Sequence, residues 1–212
     1  MHRPLFAIPL LLTALSICAL GCTPPANDTT TATSGSTLAE EAASEPPAGD
    51  SGSSTADKGQ AAVQVSIVDL AGLEAKIKEF AGKVVVVDIW SNSCAPCLHE
   101  FPNLVALSSE YPERVACISL NVDYIGLKSK GPEYYLPKVQ AFLEKQQATF
   151  TNFLSAAPDE QVLTKFEAES IPAILIFDRQ GNLAHKLTDA NSGDDGLSYA
   201  GDVIPKLEAL LK

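Results

Sequence analysis

Basic charge is scarce in this chain: 15 Lys and Arg stand against 26 Asp and Glu in 212 residues, a formal net charge of -11. The pI near 4.6 excludes a nucleic-acid binder that tracks the phosphate backbone, because that surface needs a basic face. It also leaves no polybasic patch for anionic lipid. Cysteine is sparse as well. Five are present, Cys18, Cys22, Cys94, Cys97 and Cys117, too few for a disulfide-stapled scaffold in a chain of this size. No second close cysteine pair exists, and His99, Cys117 and His185 lack ligand spacing, which disfavours zinc with its need for about four ligands. Internal repeats are absent. What remains is a hydrophobic content of 46%, enough for one core of ordinary domain size plus leader and linker.

The start reads as an export signal, 1–21. His2 and Arg3 precede an uncharged apolar run from Leu5 to about Leu20. The run closes on Ala19-Leu20-Gly21-Cys22, which resembles the bacterial lipobox, so Cys22 is the expected lipidation site. Leu20 and Ala19 depart from the commoner residues there. An uncleaved anchor and ordinary cleavage with release stay open as alternatives, the run being near the lower length for a span. Residues 22–60 are then a lipidated N-terminus and a tether. From Thr23 to about Gln60 the chain has no aromatic and almost no aliphatic residue, so it cannot bury enough surface to offset its ordering entropy. A coil of that length spans ~35 Å.

Residues 61–212 carry an alternating pattern. Leu70, Leu73, Ile77 and Phe80 fall on one helical face that Gly82-Lys83 ends. Val84 to Trp90 is a β-branched run typical of a strand buried on both faces. A helix is expected from about Ala95 to Ser109, and a strand from Arg114 to Val122. A helix should begin near Pro132 with Leu136, Val139 and Leu143 as its apolar face, followed by a strand from Thr149 to Leu154. Val162, Leu163 and Phe166 mark a short helix. Ala173 to Phe177 and Leu183 to Leu187 form a hairpin around Arg179-Gln180-Gly181-Asn182. Val203, Ile204, Leu207, Leu210 and Leu211 give a closing amphipathic helix. The class is α/β: a mixed central sheet, parallel in its core, flanked by helices.

The chemistry sits in Asp88-Ile89-Trp90-Ser91-Asn92-Ser93-Cys94-Ala95-Pro96-Cys97. A buried strand runs through a short loop into a Cys-Ala-Pro-Cys unit opening a helix. Free amide N–H groups and the dipole at a helix start stabilise an anion. A thiolate there has a lowered pKa, and the thiolate is the nucleophile. Two intervening residues let the second sulfur reach the first. Cys94 is therefore the attacking and Cys97 the resolving thiol. The competing readings are half a zinc site and a structural disulfide, though so short a loop gains little from bridging. Downstream, Ile171-Pro172 stands ahead of a strand. Proline does not fit within a central strand, but at its start a cis-proline can hold a loop against the active site.

Trp90 through Cys97, Ile171-Pro172 and the strand–turn–strand Ala173 to Leu187 resemble the thioredoxin superfamily. The export signal, the run Cys-Ala-Pro-Cys-Leu-His-Glu-Phe-Pro and the inserted helix-strand segment Tyr124 to Leu154 are similar to its membrane-anchored TlpA/ResA-like branch. The resemblance covers about Ala61 to Lys212. It implies a substrate groove near Cys94 formed by Trp90, Ala95, Pro96, Ile171 and Pro172, with Ile171-Pro172 offering backbone to an incoming chain. Asp88, an acid inside an apolar strand, matches the thioredoxin acid that exchanges a proton with the resolving thiol; a hydrogen-bonded structural acid is the plainer reading. Glu100, three residues after Cys97, matches an acid that tunes the thiols in ResA-like proteins; a solvated surface glutamate is the plainer reading. Pro102 should kink the helix. Ser93 stands where the family usually carries an aromatic. Cys117 reads as an inert packing cysteine, and Tyr134 and Tyr135 as packing or partner-contact residues.

The resemblance implies an enzyme, a protein thiol-disulfide oxidoreductase of the bacterial cell envelope, anchored on the periplasmic side through lipid. Its expected action is reduction of exported protein disulfides through the redox-active Cys94–Cys97 disulfide. It needs no separate cofactor or metal and takes electrons from a thiol-type membrane donor. Apocytochrome c, and with it cytochrome c biogenesis, is a substrate by that analogy. A net oxidase or isomerase stays open, because Ala-Pro does not fix the direction. So does a Cu(I) chaperone with His185 as a distant third ligand. A peroxidase is disfavoured, as no threonine precedes Cys94 at the peroxiredoxin spacing.

Overall fold

The computed structural model describes residues 62–193 and 196–212. The expected signal peptide, the lipidation at Cys22 and the tether lie outside them. Five helices and six strands follow in the order β1 (Val65–Val68), α1 (Leu70–Glu79), β2 (Val84–Trp90), α2 (Ala95–Glu110), β3 (Val115–Asn121), α3 (Leu136–Lys145), β4 (Thr151–Ser155), α4 (Asp159–Lys165), β5 (Ala173–Phe177), β6 (Leu183–Thr188) and α5 (Ile204–Leu211). The sheet order is β1-β4-β3-β2-β5-β6. β1, β4, β3 and β2 run parallel, whereas β5 and β6 are antiparallel to their neighbours. This is the mixed, thioredoxin-like sheet with an inserted helix and strand.

Every residue of β2 and β3 is buried, because helices cover both faces of a parallel core sheet. Alternation splits the apolar residues into two clusters. Val84, Val86 and Trp90 join Phe101, Leu104 and Leu107 of α2 on one face. Val85, Val87 and Ile89 join Leu73 and Ile77 of α1 on the other. Asp88 shares the α2 face by register, two residues from Val86 and two from Trp90.

Local chemistry sets the boundaries. Asp69 caps α1 by accepting from the Gly72 N–H at 2.7 Å. Gly82, at φ +94°, turns the chain into β2 and donates to the Arg179 carbonyl at 2.9 Å. The helix expected from Pro132 begins four residues later. Pro132–Tyr134 is a single 3-10 turn, because Pro137 has no N–H to continue a helix back to Glu133. α2 runs on through Pro102 to Glu110. The closing helix gains a π-helical turn at its start, Tyr199–Val203. β1 is an element the sequence reading passed over, although Val63, Val65 and Ile67 alternate with polar residues. At the far end of the sheet from α2's start, the Leu211 carbonyl accepts from the guanidinium groups of Arg114 and Arg179.

Candidate active site

β2, an interior strand, ends at Trp90, and Ser91-Asn92-Ser93 turns the chain into α2. Cys94 is the N-cap of α2, in extended backbone conformation, and Pro96 sits in the first turn, where its missing N–H costs nothing. The Cys97 N–H points at Cys94 Sγ at 3.2 Å. Cys94 and Cys97 are joined as a disulfide, their Cα atoms 5.3 Å apart. Cys94 is 9% exposed and Cys97 2%, so an incoming sulfur meets Cys94 first. Reduction would leave the Cys94 thiolate facing the free amides of the helix start, which favour the ionised form.

The loop ahead of Cys94 is fixed by a residue the sequence reading missed. Asp123, two residues beyond β3, accepts from Ser91 Oγ at 2.6 Å and from the Asn92 N–H at 2.8 Å. Its other oxygen accepts from Asn92 Nδ2 at 2.7 Å. Ser91 Oγ in turn accepts from the Ser93 N–H at 3.1 Å and pairs with Ser93 Oγ at 2.8 Å. Ser93, singled out from the sequence as a departure from the resembled family's pattern, thus belongs to a polar clamp.

Asp88 is 3% exposed. Burial pushes its carboxyl up to about 7; the Tyr199 hydroxyl pulls the other way and Glu100 adds a further upward push. Tyr199 Oη donates to Asp88 Oδ2 at 2.7 Å. The Tyr199 backbone N–H donates to Glu100 Oε2 at 2.9 Å. Glu100 also accepts from Asn103 at 3.0 Å and contacts His99 Nδ1 at 3.2 Å. The plain reading of Glu100 as a solvated glutamate does not hold: its side chain is 18% exposed and has three partners. Tyr199 was not legible as a site residue. It lies 111 positions from Asp88 in sequence.

The Ile171–Pro172 peptide is cis. Ala173 pairs with Ile89, which sets Ile171-Pro172 beside the Ser91–Ser93 loop. A groove of about 420 Å³ next to the loop that precedes Cys94 is lined by Ser91, Ser93 and Ile171 and by Ile125, Tyr134 and Lys138. The inserted segment therefore contributes to its lining. Ala95 and Pro96 are exposed beside Cys94. Trp90, placed along the groove by the sequence reading, is instead fully buried. It packs edge-on against Phe101 at 5.1 Å and tilted against Phe142 at 4.7 Å. A side chain from a strand buried on both faces has no path to the surface, so Trp90 packs inside the apolar cluster that also holds Cys94 and Cys97.

Cys117 is buried and free. Burial, with Asp88 adding to it, pushes its thiol up to about 12. His185 pairs with Ile176, and Ile176 with Val86, four residues back along β2 from Trp90; the structure does not bring it to the cysteines. Among the described residues no three His, Cys, Asp or Glu side chains gather as a metal site. No helix among them is long and apolar enough to cross a membrane.

The chain is similar to several known proteins. A thioredoxin-like protein of Bacillus subtilis, YneN, is 25% identical over 124 residues, covering 58% of this chain and 67% of its own. The thiol-disulfide oxidoreductase ResA of Halalkalibacterium halodurans is 25% identical over 130 residues, covering 61% and 68%. A thiol:disulfide interchange protein from Chlorobium tepidum superposes with a TM-score of 0.48 at 20% identity, over 66% of this chain and 85% of its own. The sheet, the dithiol at a helix mouth and the curated relatives describe a thioredoxin-like thiol-disulfide oxidoreductase. The profile of the AhpC/TSA family matches residues 58–186, more than half of the sequence, and the chain belongs to that family.

Proposed function

We propose that this protein reduces disulfides of exported proteins on the extracytoplasmic side of a bacterial membrane, held there by lipid on Cys22. The observation that carries the reading is the N-cap position of Cys94, with its sulfur facing the Cys97 N–H and its partner sulfur behind it. In the dithiol form the Cys94 thiolate attacks a substrate disulfide and releases one substrate sulfur as a thiol. Cys97 then gives up its proton, and its sulfur displaces the second substrate sulfur from Cys94. The Cys94–Cys97 bond forms, and two electrons pass to the substrate. Asp88, buried and titrating near neutrality, is the acceptor of the Cys97 proton. Glu100 holds the surrounding network.

An oxidising exterior makes regeneration depend on a thiol-type donor in the membrane; the cysteine pair itself is the only redox group the reaction needs. Apocytochrome c is one candidate among exported substrates, and cytochrome c biogenesis the corresponding process. Direction is tested by the reduction potential. A value near that of thioredoxin, about -270 mV, supports reduction, and one near -120 mV, that of the strong oxidants, refutes it. The exchange step is tested with Cys97→Ser expressed in membranes. Disulfide-linked partners should accumulate on Cys94 and be absent from Cys94→Ser. An identical yield from both variants refutes the assignment.

A further inference from the structure

We infer that Tyr199 is a positioning residue of the dithiol reaction: its hydroxyl holds the carboxylate of Asp88 while its backbone N–H holds that of Glu100, so one residue of the C-terminal turn orders both acids behind the active-site disulfide. The inference rests on the reading of Asp88 as acceptor of the Cys97 proton.

The geometry is specific. Tyr199 is 2% exposed and lies in the same apolar cluster as Cys94, Cys97 and Trp90. It opens a π-helical turn, Tyr199–Val203, a distortion found mostly as single turns and often at functional sites. Ser198 caps that turn by accepting from the Gly201 N–H at 3.1 Å, and Asp202 accepts from the Ser198 N–H at 2.9 Å. The turn's own bonds thus fix the place where both contacts begin. A phenol needs only a ring-sized slot to satisfy packing; this one also ends on a carboxylate oxygen at 2.7 Å.

Among the described residues the ionisable groups on the Asp88 face are Cys94 at the cap of α2, Cys97 and Glu100 within it, Cys117 from β3 and Tyr199 from the C-terminal turn. On the β5 side Asp88 pairs with Ile174, which brings no charge. Tyr199 is the side chain that donates a hydrogen bond to Asp88. Glu100 and burial both disfavour the ionised form, and the phenol opposes them. The Tyr199 hydroxyl itself stays protonated, since burial and Asp88 hold it well above the ordinary phenol range. It is a permanent donor. Its removal should leave Asp88 protonated to higher pH, and a protonated Asp88 cannot take the Cys97 proton.

The test uses the reduced protein and dithiobis-nitrobenzoate. Cys94 attacks the reagent and releases one nitrothiobenzoate. Cys97 then passes its proton to Asp88 and displaces the second nitrothiobenzoate, which leaves as a thiolate with the electron pair. The second release is followed against pH in the native protein, Tyr199→Phe, Asp88→Asn and the double variant. Tyr199→Phe should move the midpoint upward by about one pH unit and slow the second release roughly five-fold at neutral pH. Asp88→Asn should remove the pH step, and adding Tyr199→Phe to it should change nothing more. If Asp88→Asn keeps the native profile, the reading of Asp88 as proton acceptor fails. If Asp88→Asn is flat but Tyr199→Phe matches the native protein, the role of Tyr199 alone is refuted. Should Tyr199→Phe not fold, ring-fluorinated tyrosine placed at position 199 is a stronger donor and should move the midpoint toward acid. An unmoved midpoint there also refutes the proposal.

Discussion

A buried carboxyl that titrates near neutrality makes the stability of this domain depend on pH in a direction opposite to most acids. In the unfolded chain Asp88 ionises near its ordinary value of 3.8, whereas in the fold it does so at about 7. Below 3.8 it is neutral in both states and costs nothing. Between the two values the unfolded chain is charged and the folded one is not, so stability falls as pH rises. Above about 7 the full penalty is present. The gap corresponds to about 4 kcal/mol at roughly 1.4 kcal/mol per pH unit. Asp88→Asn keeps the shape and retains an oxygen for the Tyr199 hydroxyl, but never ionises. The variant and the native protein, both in the disulfide form, should differ little below about pH 4. The variant should be the more stable by about 4 kcal/mol above about pH 7. Denaturant unfolding across that range reads the difference directly. A difference that stays constant with pH would refute the placement of Asp88 as a buried, titrating acid.

Other perturbations have distinct signatures. Asp123→Ala removes three contacts to the loop before Cys94. It should cost about 2 kcal/mol in denaturant unfolding and slow disulfide reduction, with Asp123→Asn recovering part of both. Phe101→Ala deletes a ring packed on Trp90 and Phe142 and should cost about 3–5 kcal/mol by thermal or denaturant unfolding. Cys117, buried with its thiol pushed up to about 12, should resist maleimide in the native reduced protein and label only on unfolding. Mass spectrometry of labelled peptides separates it from Cys94.

The parts of this protein written in local pattern were legible from sequence. Val84 to Trp90 announced a doubly buried strand, and the one charge inside it, Asp88, marked itself by breaking the run. Cys94 and Cys97 followed from spacing and from the helix they open. What escaped was assembled by tertiary structure. Asp123 is one acid among 26 Asp and Glu, and only the parallel pairing of β2 with β3 brings it to the Ser91–Ser93 loop. Tyr199 carries no motif and reaches Asp88 because the C-terminal turn folds back over the sheet face. Trp90 was misplaced for a different reason. The family resemblance implied a groove position, but alternation along β2 points its ring into the α2 face. β1 was passed over although its alternation was visible, because it abuts a polar stretch and the strand itself is only four residues long.

The direction of the strands divides the labour of the molecule between two poles. At one pole β2 and β3 end and β5 begins, so Ser91, Asp123 and Pro172 converge there with the sulfurs. At the other lie Gly82, the turn around Gly181 and the carbonyl of Leu211 gripped by two guanidinium groups. A reporter dye on Gln180 or a binding tag spliced into that turn would therefore ride on the inert pole, leaving the reactive one free to meet its client.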